Sequence, residues 1–338
     1  MTLNRPAMSL RTIAAVVLNW NQSRMTLDCV ASLRTQTTPV DRIVVVDNGS
    51  KPDQWAVLAD GLPAGVEVVR LAVNTGFAGG MNAGIAAAAR AGAGAVWLVN
   101  NDAFPDPDCL TALVAALDAD PTLAAVTPRL VGTDGEEQPA GGRFDATRGA
   151  NEFLYATDLA EPVGAGGYWA VGTIPLFRAD ALAKAGGFDD RFFAYWEEVD
   201  LCLRLGRMGY RFRSVPQVQA LHIGQVSSGG SPFGFYLYVR NWLRLLRRHV
   251  PRRTRGRLAV GFTRRILDNA GCFAAHGQDA KAHAAVQAVV ASVLGETGKP
   301  RWLGRCPRAA RYVAARPWKL VHALGWVERR LTPAGGVA

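Results

Sequence analysis

Ala95-Val-Trp-Leu-Val-Asn-Asn-Asp102 is an apolar run that stops at two amides and a carboxylate, which is the pattern of a buried strand delivering polar groups to a cleft. Gly94 and Pro105 bound the run, and its lack of alternation fits a strand covered on both faces, as in a parallel sheet. Open parallel sheets carry their ligand sites just beyond the carboxyl ends of the strands. Asp102 therefore stands where a hard divalent cation bridges a carboxylate and phosphate oxygens. The alternative is an Asp that opens a turn before Pro105.

Upstream, Ile13 to Leu18 forms a first strand ending in Asn19-Trp20-Asn21, after which Ser23 opens a helix with Leu27, Val30, Ala31 and Leu33 at helical spacing. Arg42-Ile-Val-Val-Val-Asp47 is a second strand, closed by the turn Asn48-Gly49-Ser50. A helix over 54–59 and a strand over 66–71 follow. This rhythm argues for an α/β domain with a parallel sheet. Asp47, at the end of the second strand, is placed either to hold a nucleoside or to start a turn. Asn74-Thr-Gly-Phe-Ala-Gly-Gly-Met-Asn-Ala-Gly84 is a glycine-rich entry to a helix over 85–90, where backbone N–H groups can approach a phosphate or a nucleoside.

Downstream, the sequence predicts a helix over 107–117 and a strand near 124–127. A long polar excursion over 131–162 has the composition of a flexible loop or flap. A strand-like run over 164–177 and a short helix over 180–185 end at Gly186-Gly187. In Phe192-Phe-Ala-Tyr-Trp-Glu-Glu-Val-Asp-Leu-Cys-Leu-Arg-Leu205, a helix starting near Glu197 has Glu197, Glu198 and Asp200 in its first turn. Acids there complement the helix dipole. Glu198 also shares a side with Cys202 and Leu205, a setting in which a carboxylate is tuned as a general base. His222 closes a strand-like run, as a surface or core residue or as a ligand.

The 338 residues, 49% hydrophobic, suffice for one large domain with an appendage. Residues 1–230 hold 18 Lys/Arg against 24 Asp/Glu, and 231–338 hold 20 against 4, so balances of −6 and +16 mark two parts with different work. Five cysteines without a CxxC pair point to a reducing compartment. No apolar run reaches the roughly 18 to 20 residues of a spanning helix. The basic N-terminus has too short an apolar core for a signal peptide, which leaves it as the approach to the first strand.

Leu18-Asn-Trp-Asn21, Val46-Asp-Asn-Gly-Ser50, the 74–82 stretch, Leu98-Val-Asn-Asn-Asp102, Gly186-Gly-Phe-Asp189, the 192–203 stretch and Leu221-His222 follow one another as in family 2 glycosyltransferases. The chain resembles their rhamnosyltransferase-like branch over roughly residues 13 to 250. The resemblance implies a GT-A fold, α/β with a mostly parallel central sheet flanked by helices. Its catalytic domain would span 1–233, divided near 130 into nucleotide-sugar and acceptor halves, with a basic helical C-terminal region over 234–338.

It further implies that Asn19 and Asp47 hold a pyrimidine nucleoside, and that Asn74, Gly76, Phe77, Gly80 and Asn82 close on base, ribose or diphosphate. Asn101 and Asp102 match the end of the family's DxD-like motif. Asp102 and His222 would hold Mg²⁺ or Mn²⁺, Glu198 would be the catalytic base, and Trp196, Glu197 and Asp200 would lie on the acceptor side. The implied reaction is an inverting transfer from a UDP- or dTDP-sugar to a glycan or lipid-linked acceptor in cell-surface polysaccharide synthesis. Two departures stand out: the base position is usually Asp, and Asn100 replaces an initial Asp.

A nicotinamide-dependent oxidoreductase is disfavoured because no glycine follows the first strand. A silent sugar-nucleotide module is disfavoured by the joint presence of Asp102, Glu198 and His222. Residues 234–250 and Trp318 to Leu331 alternate apolar and basic stripes. The stripes suit either an anionic membrane surface, at the cytoplasmic face of the cell membrane, or packing on the catalytic domain. No nucleic-acid module is recognisable.

Overall fold

The structure, a computed structural model, describes residues 12–164, 166–224 and 231–301. Its elements in chain order are β1 (Ile13–Asn19), α1 (Ser23–Arg34), β2 (Arg42–Asn48), α2 (Pro52–Gly61), β3 (Glu67–Leu71), α3 (Gly76–Arg90), β4 (Ala95–Asn100) and β5 (Ala103–Pro105). There follow α4 (Cys109–Ala119), β6 (Leu123–Val131), β7 (Glu137–Gln138), β8 (Gly141–Asp145), β9 (Ala150–Leu154), β10 (Tyr168–Ala170) and β11 (Leu176–Arg178). The last are α5 (Ala179–Ala185), α6 (Glu197–Arg207), β12 (Arg211–His222), α7 (Pro232–His249), α8 (Arg252–Ala275) and α9 (Asp279–Val293).

The contacts divide the chain into two units. The first is built on a nine-stranded sheet in the order β3-β2-β1-β4-β11-β6-β12-β5, with β7 beside β6. Parallel ladders join β1 to β2 and β4, β2 to β3, and β6 to β12, while β11 runs antiparallel between β4 and β6. The pleat explains how the sheet is covered. Ile13, Ala15 and Val17 pack with Cys29, Val30 and Leu33 of α1 and with Leu110 and Leu113 of α4. The alternate residues Val16 and Leu18 face α3 instead. Burial on both faces is what the unalternating apolar runs demanded.

Two expectations need correction. The 131–162 segment is not a loop: it carries β7, β8 and β9, and β8 is the middle strand of a second sheet, β10-β8-β9. The 164–177 run is two short strands in different sheets, β10 and β11, not one.

The second unit holds α7, α8 and α9 together with the short segments 145–150 and 191–196. Here α7 is a packed helix: Arg240, one of the arginines of the basic stripe over 234–250, is 2% exposed and meets Glu296 at 3.1 Å. The stripe over Trp318 to Leu331 lies outside the described residues. Among the described residues no helix is long and apolar enough to cross a membrane, and Cys29, Cys109, Cys202 and Cys272 are unbridged.

Candidate active site

The carboxyl ends of β1 and β2 place Asn19 opposite Asp47, and both are fully buried. The Asn19 amide donates to Asp47 Oδ1 at 3.0 Å and to Ser50 Oγ at 3.1 Å, and its carbonyl accepts from Thr26 Oγ1 at 2.9 Å. Asn19 is thereby occupied in aiming Asp47. The other carboxylate oxygen, Asp47 Oδ2, is buried without a hydrogen-bond donor. Arg70 Nε lies 3.8 Å from it, with its guanidinium 4.2 Å over the Trp55 ring. A buried acceptor without a hydrogen-bond donor costs free energy, so this oxygen has room in its bonding for a further N–H.

At the end of β4, the Asn101 amide donates to Gln22 Oε1 at 3.2 Å and to Thr26 Oγ1 at 3.1 Å. The antiparallel register of β5 and β12 sets His222 opposite Ala103, beside Asp102. His222 Nε2 then lies 3.5 Å from Asp102 Oδ1, while His222 Nδ1 pairs with Gln138 Oε1 at 2.6 Å. A carbonyl oxygen can only accept, so the bond assigns a proton to Nδ1, and Nε2 is the ring nitrogen that faces Asp102. One carboxylate and one imidazole suit Mg²⁺ or Mn²⁺ that completes its shell from substrate phosphates and water. Among the described residues no third His, Cys, Asp or Glu joins them.

The glycine-rich stretch is helix rather than an entry to one: α3 begins at Gly76, whose N–H donates to Asn74 Oδ1 at 2.7 Å. Its glycines let α3 settle on the sheet. A Cβ on Gly80 would lie 2.4 Å from Leu18 Cδ1, and one on Gly84 would lie 2.2 Å from Val16 Cγ1. Gly80 thus serves helix-on-sheet approach. Asn48, read only as a turn residue, fastens the loop, since its amide donates to the Gly76 carbonyl at 2.9 Å and its oxygen accepts from Thr75 N–H at 2.9 Å. Asn82 donates to the Phe188 carbonyl and accepts from its N–H, both at 2.9 Å, and the Phe77 ring meets Phe188 edge-on at 5.9 Å.

The three acids of α6 have separate fates. Asp200 is fully buried and paired with Arg204 at 2.8 Å. Glu197 is buried, with Oε2 lacking a hydrogen-bond partner; desolvation, and next the Glu198 charge, hold its carboxyl well above the ordinary range. Glu198 is half-buried. It lies near the start of α3, because a Cβ on Gly172 would lie 3.5 Å from Glu198 Cβ and 3.8 Å from Phe77 Cζ. Burial pushes the neighbouring Cys202 thiol up to about 12. Trp196 belongs to the second unit, where its ring packs on Tyr238 and Trp242 at 4.7 and 4.6 Å.

Asn19, Asp47, Asn74, Asn101, Asp102 and His222 therefore fall at strand ends or the start of α3, and Glu198 and Phe77 both border Gly172. Gln22, Thr26, Asn48, Ser50 and Gln138, which orient these groups, carry no local signal beyond their place next to strand ends.

Residues 14–184 match the family model described as Glycosyl transferase family 2. The N-acetylglucosaminyl-diphospho-decaprenol L-rhamnosyltransferase of Mycobacterium tuberculosis is 28% identical over 225 residues, covering 60% of this chain and 73% of the relative. S. aureus TarS 1-349 in complex with UDP superposes with a TM-score of 0.52 at 15% identity, over 97% of this chain and 94% of that one. GalNAc-T7 with UDP, GalNAc and Mn2+ gives 0.52 at 18% identity, over 71% of this chain and 48% of that one.

Proposed function

Since the chain belongs to glycosyl transferase family 2 and has the GT-A fold, we propose that this glycosyltransferase moves a sugar, rhamnose in the first instance, from a pyrimidine nucleotide diphosphate to a hydroxyl of a glycan or lipid-linked acceptor, in cell-surface polysaccharide synthesis. The observation that carries the reading is the meeting of Asp102 and His222 at 3.5 Å beyond the ends of the sheet. They would hold the divalent cation, whose charge stabilises the departing diphosphate. Asp47 Oδ2 accepts the imide N–H that uracil and thymine share, with Asn19 fixing the carboxylate. Glu198 takes the proton of the acceptor hydroxyl. A single base facing the anomeric carbon opposite the leaving group gives inversion.

Calorimetry with UDP, dTDP and GDP, with and without Mn²⁺, tests this. UDP and dTDP should bind better with metal, and GDP more weakly than either. Asp47→Ala should weaken UDP and dTDP alike by about ten- to a hundredfold, the worth of a charged hydrogen bond. Asp102→Ala should erase the metal dependence. Equal binding of all three nucleotides, or an unchanged metal response in Asp102→Ala, overturns the assignment.

The +16 balance of 231–338 supports a place at the inner face of the cell membrane, against anionic lipid. Arg252, Arg253 and Arg265 of α8 are exposed. Each basic group near such a surface contributes about 1 kcal/mol. The triple glutamine variant should sediment at least tenfold less well with phosphatidylserine vesicles, and equally with phosphatidylcholine vesicles. Unchanged sedimentation would reject the reading.

A further inference from the structure

The turn Gly186-Gly187-Phe188 ties two helices together. Both glycines are left-handed, at φ +73° and +69°, and a Cβ on Gly187 would stand 2.6 Å from Asn82 Oδ1. From α3, Asn82 grips Phe188 through both its N–H and its carbonyl, each at 2.9 Å. From α6, Arg204 donates to the Gly187 carbonyl at 2.7 Å and to the Ala185 carbonyl, while Asp200 holds its Nε at 2.8 Å. The contacts run from α3 to the turn and from the turn to α6, and both helices border Gly172, through Phe77 and Glu198.

We infer that Asn82 and Arg204 are positioning residues, which set Glu198 relative to the start of α3 by locking this turn. The inference rests on the role of Glu198 proposed above. It reassigns Asn82 and Asp200 from ligand contacts: both polar ends of the Asn82 amide are engaged by Phe188, and Asp200 is engaged by Arg204. A carboxylate displaced by about 1 Å loses roughly a hundredfold in rate.

The test compares Asn82→Ala, Glu198→Gln and the double variant. Turnover is read as dTDP released from dTDP-rhamnose with polyprenyl diphospho-N-acetylglucosamine as acceptor, and dTDP affinity by calorimetry. Asn82→Ala should keep dTDP affinity within about twofold and lose roughly thirty- to a hundredfold in kcat. In the Glu198→Gln background the same change should cost less than about threefold, because there is no base left to misplace. Arg204→Lys, which keeps the charge on Asp200 but not the fork to two carbonyls, should lose kcat part-way with dTDP affinity unchanged. A tenfold fall in dTDP affinity at unchanged kcat makes Asn82 a ligand contact and overturns the inference. So does an additive double variant in which Glu198→Gln itself is slowed a hundredfold or more. If Glu198→Gln stays active, it is the base assignment that fails.

Discussion

Glu198→Gln is expected to lose about 10² to 10⁴ in turnover while donor and metal affinity stay near those of the parent. Glutamine keeps the shape and most hydrogen bonds of glutamate but accepts no proton. Glu198 is the half-buried member of a triplet in which Asp200 pairs with Arg204 at 2.8 Å and burial raises the Glu197 carboxyl well above its ordinary value. Glu198→Asp should retain more activity than the glutamine variant, since it keeps a proton acceptor about one methylene short. Glu197→Gln is the control and should keep turnover. Because its folded pKa lies above its unfolded value, Glu197 withholds stability that grows as pH rises from the ordinary carboxylate range towards the folded value. Glu197→Gln should therefore match the parent in acid and exceed it at neutral pH in denaturant titrations. Parent-like turnover in Glu198→Gln would move the base to Glu197 or Asp200.

Arg240→Leu is expected to cost about 3–5 kcal/mol in stability, the usual loss when one partner of a buried ion pair is removed. Arg240 binds Glu296 at 3.1 Å, with side chains 2% and 3% exposed, and also donates to the Gly298 and Phe192 carbonyls at 2.9 and 3.0 Å. Tyr236 donates to the same Glu296 oxygen at 2.6 Å, which cannot by itself replace a cation. Phe192 opens a stretch in which Phe193, Tyr195 and Trp196 are left-handed at φ +68° to +72°, a backbone that costs roughly 1–3 kcal/mol per residue. Asn241 helps hold it by donating to the carbonyls of Phe192, Ala194 and Tyr195. Replacing Glu296 as well, by leucine, should recover most of the loss in urea titration. A single variant within 1 kcal/mol of the parent would show that the pair is not what stabilises this unit.

How far the sequence disclosed these features depended on how local their causes are. β1, β2 and β4 were visible because each is an apolar run ended by a polar residue that the site uses. The start of α3 was not. Each glycine costs a helix about 1 kcal/mol, so propensity puts the start after Gly84, whereas packing against Val16 and Leu18 admits nothing larger. β8 and β9 were hidden by composition, since Gly141-Gly-Arg-Phe-Asp145 and Ala150-Asn-Glu-Phe-Leu154 lack an apolar alternation. Arg240 read only as part of a basic stripe because its counter-charge lies 56 residues further on, and the grip of Asn82 on Phe188 spans 106 residues. The Asp102 and His222 pair was accessible only through the order of motifs, because it depends on the register of β5 with β12.

The antiparallel β11 has a consequence for the order in which the chain is made. Its three residues are the only described link between β4 and β6 in the sheet order. On the ribosome, β3-β2-β1-β4 with α1 to α3 is complete once residue 100 has emerged, but its β4 edge stays open until Leu176 to Arg178 follow, some 76 residues later. During that interval the nascent protein presents Ala95 to Asn100, an apolar strand, as a bare edge, the kind of surface on which chains aggregate. A three-residue strand therefore decides when synthesis becomes safe, and slowing translation between residues 100 and 178 should lower soluble yield more than the same delay placed after residue 178.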